Sequence, residues 1–133
     1  MGVRYHTGKT MPYVISSEGG ILYITFSGIV GEDDLGGMTV SVMEFESNCV
    51  VIPPRITDLT NVSQVDLDFS SILDLAKRRM AMTLPNAIKS AIVVSRADHM
   101  GFARMFQTVN RHPKITIRIF PDMDGAREWL AGD

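Results

Sequence analysis

The hydrophobic period of this sequence switches repeatedly between two residues and three to four, and this restricts the chain to folds in which strands and helices alternate. Tyr13-Val14-Ile15-Ser16 and the run from Ile21 to Ser27 are dense in β-branched and aromatic residues, and Gly19-Gly20 breaks them, so the pair predicts a β-hairpin. Its first strand is short and follows a polar segment, which places it at a sheet edge. From Glu32 to Glu46 the period becomes helical, with Leu35, Met38, Val42 and Phe45 on one stripe. Glu32, Asp33 and Asp34 open that helix, where unpaired N–H groups favour negative charge. Gly36 and Gly37 each cost about 0.5–1 kcal/mol relative to Ala, so this helix depends on packing and its first turn is expected to be loose.

Pro53-Pro54 punctuates the return to a strand over Arg55–Leu59. A second helix is expected from Asp68, as N-cap, to Met82, with an apolar face of Ile72, Leu75, Ala76 and Met80 and a surface ion pair between Asp74 and Arg78. Ile88–Val94 reads as a buried parallel strand. Ser95 and Asp98 have capping-box spacing and open a third helix running to about Arg111, with Phe102, Met105, Phe106 and Val109 inward. Ile115, Ile117 and Ile119 alternate along a last strand, after which Asp122 caps a short helix carrying Trp129 and Leu130. The order is ββαβαβαβα. With right-handed crossovers after Gly28, Leu59 and Val94, it predicts one α/β domain: a mostly parallel five-stranded sheet, an antiparallel N-terminal edge strand and about four helices.

The 133 residues suit one domain, with residues 1–11 expected as a flexible tail and 12–133 as the folded unit. Thirteen Lys and Arg face fifteen Asp and Glu, a net charge of −2 without a long basic run, which argues against nucleic acid as a partner. Cys49 is the lone cysteine and reads as a small buried or part-buried hydrophobe, while His6, His99 and His112 lack the local spacing of metal ligands. The N-terminal decapeptide has no apolar run, and no apolar stretch approaches the roughly 18 residues of a membrane span, so a soluble cytoplasmic protein is expected.

Several segments together give the chain a family likeness: Ser27-Gly28 after the hairpin, Thr57-Asp58-Leu59-Thr60-Asn61-Val62, Ile92-Val93-Val94-Ser95, Gly101-Phe102-Ala103-Arg104-Met105-Phe106, and Ile119-Phe120 followed by Ala126-Arg127-Glu128-Trp129-Leu130. From about Met11 to Leu130 the pattern resembles the STAS domain superfamily, and is most similar to its divergent SpoIIAA-like branch of small bacterial proteins. The resemblance implies a protein-interaction or regulatory fold, in a branch also similar to small lipid-carrier domains. Anti-sigma antagonists of that superfamily carry a phosphorylatable Ser in an Asp-Ser-Ser-Gly-like run after the central strand. Here the stretch is Val65-Asp66-Leu67-Asp68-Phe69-Ser70-Ser71. Counted from Val62 the Ser position holds Leu67, whereas with Asp68 as the helix-opening acid Ser70 is the nearest substitute, and the Gly is missing either way. Ser70 and Ser71 are thus doubtful phosphorylation sites, and the phosphoserine switch is not carried over with the fold.

Ligands of open parallel sheets meet the loops beyond the carboxyl ends of the strands. That rule gathers Asp58, Asp66, Ser95, Arg96, Asp98, His99 and Arg104 as a candidate ligand or partner surface, in competition with helix capping and simple solvation. Ser95, His99 and Asp58 could be written as a hydrolytic triad, but no nucleophile elbow precedes Ser95, and no catalytic set is assigned. Neither a phosphate-binding loop nor a dinucleotide fingerprint is present, and no Mg or Zn spacing occurs, so no cofactor is expected. Lys77-Arg78-Arg79 offers a weak anionic-membrane surface, diluted by Asp68 and Asp74. Met80, Met82, Phe102, Met105 and Phe106 form a candidate apolar pocket or interface, with core filling as the simpler role. The leading expectation is a non-enzymatic regulatory module binding an unknown protein partner, with homodimerisation as one form. The alternative is a carrier for a small apolar ligand or lipid, and a hydrolase using the acidic and His loops is the remote third.

Overall fold

Six strands and four helices follow one another in the computed structural model, which describes residues 3–5 and 12–132, the first three through their backbone. Strand β1 (Val3–Tyr5) precedes the hairpin of β2 (Tyr13–Glu18) and β3 (Ile21–Gly31). Then come α1 (Glu32–Ser47), β4 (Arg55–Asp66), α2 (Phe69–Met80), β5 (Ile88–Val93), α3 (Ala97–Val109), β6 (Ile115–Phe120) and α4 (Met123–Ala131). Spatial order equals sequence order, with β1, β2 and β3 antiparallel and β3 through β6 parallel. This is the expected α/β architecture with one strand added. Because β1 pairs with Ile15–Ser17, β2 is not the edge strand expected from its shortness, and its Tyr13 and Ile15 side chains are fully buried. The rest of the tail expected over residues 1–11 lies outside the described residues.

The hairpin closes through Gly19 and Gly20 at φ 59° and 79°, the pair of positive values that a two-residue turn of the favoured hand requires. From β3 onward each parallel step advances in the same direction, and crossovers of one hand then leave their helices on one face. Leu22, Ile24 and Phe26 of β3 pack with Val42 of α1 on that face, and Ile88, Ile92, Ile115 and Ile117 pack with Ala103 of α3. Helix α4 folds back onto the opposite face, where Ala126, Trp129 and Leu130 cover Ile56, Ala91 and Val93. Each fully buried aliphatic side chain in these clusters contributes about 1.5–3 kcal/mol of transfer free energy.

Three local expectations are corrected. Strand β4 does not end at Leu59: it continues along β3 to Asp66 through two irregularities in register, because β3 itself runs on to Gly31 and supplies the partner. Gly37 also has a packing role in α1: a Cβ there would lie 2.8 Å from the Tyr13 hydroxyl, so Gly lets the helix close onto β2. The Ser95–Asp98 capping box is absent, since Arg96 takes the N-cap position and its guanidinium holds Asp98. Asp74 and Arg78 form no ion pair among the described residues; in the same helix Arg79 turns inward instead. Asp68 and Asp122 do cap their helices, accepting from the backbone N–H of Ser71 and of Gly125.

Candidate functional site

A cavity of about 150 Å³ lies between the sheet and helices α1, α2 and α3. Its roof comes from Leu35, Met38, Thr39 and Val42 of α1, Ile72 and Leu75 of α2, and Phe102, Ala103 and Phe106 of α3. The floor is the inward side of the strands, where period-two alternation brings Ile24, Thr57, Leu59, Ile92 and Ile117 to one face. The wall is aliphatic and aromatic over most of its area, the usual chemistry of a small-molecule pocket.

One corner is polar. Arg55, the first residue of β4, stands directly across from Ser90 of β5, and Thr57 follows two residues later on the same face. All three line the cavity. The Arg55 Nη1 meets Glu46 Oε2 at 2.6 Å, and Arg79 holds the same carboxylate through Nη1 at 2.6 Å and Nη2 at 3.1 Å. Glu46 and Arg55 are about as buried as the aliphatic core, at 4% and 5% exposure. Burial opposes ionisation of Glu46, but the hydrogen bonds from Arg79 and the two positive charges outweigh it and hold the carboxyl below its ordinary value of 4.5. Burial also lowers the Arg55 guanidinium from its usual range, against the pull of Glu46. Arg55 Nε remains buried without an acceptor, and among the described residues the Ser90 and Thr57 hydroxyls have no hydrogen-bond partner.

Helices α1 and α2 are tied at both ends. At their N-termini Ser71 Oγ donates to Glu32 Oε1 at 2.8 Å, and at their C-termini Arg79 donates to Glu46. Leu35, Met38 and Val42 on one helix and Ile72 and Leu75 on the other line the cavity between these ties.

The loop residues singled out from sequence do not join in one hydrogen-bond network among the described residues. Asp58 lies within β4, its Oδ1 accepting from the N–H and hydroxyl of Thr60, and seven strand residues lie between it and Asp66, roughly 25 Å of extended chain. Asp66 instead joins Glu32, Asp33, Asp34 and Asp68 around an open acidic concavity, which among the described residues offers no metal-binding group. Ser95 is exposed, and the exposed Arg96 and Asp98 satisfy each other at 2.9–3.0 Å. His99 is buried at 3% exposure, its Nδ1 without a partner among the described residues and its Nε2 3.7 Å from Asp98, so the triad written with Ser95 and Asp58 is not assembled. Arg104 is exposed on α3. Of the apolar candidates, Phe102 and Phe106 line the cavity, Met82 packs in the core, Met105 is half-buried and Met80 is exposed.

Ser70 and Ser71 donate to carboxylates: Ser70 to Asp68 at 2.6 Å, Ser71 to Glu32 and Asp68. A phosphate at either position would face acidic groups rather than the cations that ordinarily receive it. Cys49 is half-buried against the core, as expected of a part-buried hydrophobe, while the neighbouring Val50 and Val51 are exposed.

Sequence reading missed Glu46, Arg55, Thr57 and Ser90. A signal for Glu46 existed, since Thr39, Val42 and Glu46 continue the helical stripe at three- and four-residue steps. Arg55 likewise shares the strand parity of Leu59.

An open sheet with three helices on one face, a fourth behind and an apolar cavity beneath the three defines a small α/β domain in architecture. The chain has a SpoIIAA-like fold: an uncharacterized DUF3478-family protein from Shewanella loihica, itself described as having that fold, aligns over 95% of this chain and 99% of its own at TM-score 0.61 and 15% identity. SiaC of Pseudomonas aeruginosa aligns over 89% of this chain and 99% of its own at TM-score 0.43 and 18% identity. No protein-family model and no curated protein matches the sequence. No helix among the described residues is long and apolar enough to cross a membrane.

Proposed function

We propose that this protein is a non-enzymatic binding module that takes a small, largely apolar ligand between its sheet and helices α1 to α3. The observation that carries the reading is the cavity itself, because a core at native density leaves few voids larger than a water molecule. The cavity also collects the aromatic side chains Phe102 and Phe106 that sequence alone could equally assign to packing. Ala103, at 3% exposure on its wall, provides the test. Ala103→Leu should abolish binding of an apolar fluorescent probe while leaving the urea midpoint close to wild type, because the added methyl groups enter open space. Overpacking a solid core costs about 1–3 kcal/mol instead, and a loss of that size with no probe binding by wild type would refute the reading.

A second reading, regulation through contact with a protein, is favoured by Phe69 and Met80, exposed at 52% and 49% and eleven residues apart on one side of α2. The contact proposed is with a second copy of the chain. Phe69→Glu/Met80→Glu should then shift the sedimentation coefficient from dimer to monomer, and a wild-type protein that is monomeric at high concentration would end this reading.

A further inference from the structure

We infer that the ligand is an amphiphile with one carboxylate, whose acid group docks at the corner formed by Arg55, Thr57 and Ser90. This inference rests on the apolar-ligand reading above and specifies its chemistry. Two guanidinium groups share one carboxylate in the Arg55–Glu46–Arg79 cluster, leaving one net positive charge at a site where Arg55 is 5% exposed. An uncompensated buried charge is costly, and a ligand carboxylate in contact with it supplies the missing counter-charge. The corner also has unused donors: Arg55 Nε–H has no acceptor, and the hydroxyls of Ser90 and Thr57 bond to no group among the described residues. Arg55 and Ser90 are cross-strand partners and Thr57 is next on the same face, so the three sit side by side on the cavity floor. A carboxylate brings a negative charge and about four acceptor sites, whereas an alcohol is uncharged with at most two and a hydrocarbon has none.

Size limits the remainder of the molecule. A cavity of about 150 Å³ holds a body on the scale of benzene, which limits the buried tail to about six or seven carbons rather than the chains of a membrane lipid. Octanoate is the matching probe, octanol has the same tail without the acid, and butyrate has the acid without the tail.

Isothermal titration of the full chain should give octanoate at least about tenfold tighter than octanol, as expected for charge-assisted hydrogen bonds, with butyrate not detectably bound. Thr57→Val and Ser90→Ala should each weaken octanoate severalfold and leave octanol unchanged, whereas Ala103→Leu should remove both. On wild type alone, the carboxyl carbon of ¹³C-labelled octanoate should titrate at lower pH when bound than when free. Equal affinity for octanoate and octanol, or an unshifted carboxyl titration, would overturn the acid-group inference and leave the apolar pocket standing. Failure of wild type to bind either ligand would overturn both.

Discussion

Replacing Glu46 by Gln isolates the energetics of the buried charge cluster. The wild-type carboxylate accepts from Arg55 at 2.6 Å and from Arg79 at 2.6 and 3.1 Å, and is 4% exposed. Glutamine keeps the shape but removes the charge and one acceptor, leaving two guanidinium groups facing each other under α1. Removing one member of a buried ion pair costs about 3–5 kcal/mol, chiefly because its partners stay buried without compensation. With a urea m-value of about 2 kcal/mol/M, the midpoint should fall by about 1.5–2.5 M, a large part of the roughly 5–15 kcal/mol that a domain possesses. Circular dichroism in a urea series reads the shift. The triple variant Glu46→Met/Arg55→Met/Arg79→Met supplies the contrast: removing all three charges should recover most of the loss, because desolvation and not missing packing is the cause. A midpoint drop below about 0.5 M for Glu46→Gln, or a triple variant weaker than the single one, would show that the cluster is solvated and the reasoning wrong.

The same carboxylate sets a pH dependence. Its folded value lies below the ordinary 4.5, so its stabilising contribution is complete above that value and is lost as pH falls through the folded one. Urea midpoints should therefore decline more steeply in acid for wild type than for Glu46→Gln, and parallel profiles would contradict the assignment. Gly37→Ala places a Cβ 2.8 Å from the hydroxyl of Tyr13, which is 2% exposed, so it should cost about 1–3 kcal/mol in thermal or urea unfolding, with Tyr13→Phe relieving most of it. Asp122→Ala removes the 2.8 Å bond to Gly125 N–H and should lower stability by about 1 kcal/mol, measurable as a lower Tm.

The elements of β2 to β6 and α1 to α4 were legible because each repeats a local period for long enough to identify itself, and Gly19-Gly20, Asp68 and Asp122 carry local turn or cap chemistry. The paired extension of β4 to Asp66 was not legible. Leu59 to Asp66 is a polar, Asn- and Ser-containing segment, and only the equally long β3 beside it makes it a strand. The same extension places Asp58 and Asp66 far apart along β4, and His99 is buried, neither of which a local pattern records.

Alternation of period and the punctuation by Gly and Pro therefore determined, from the sequence alone, an α/β chain with its strands and helices in order, because those properties act between residues a few positions apart. Tertiary structure alone decided that Glu46, Arg55 and Arg79 meet, that Ser90 and Thr57 share their corner, and that the space beside them stays open. Those facts depend on which strand lies beside which and how helices seat on the sheet. Long-range packing fixes both, and a buried charge pattern records the result only once distant residues have been brought together.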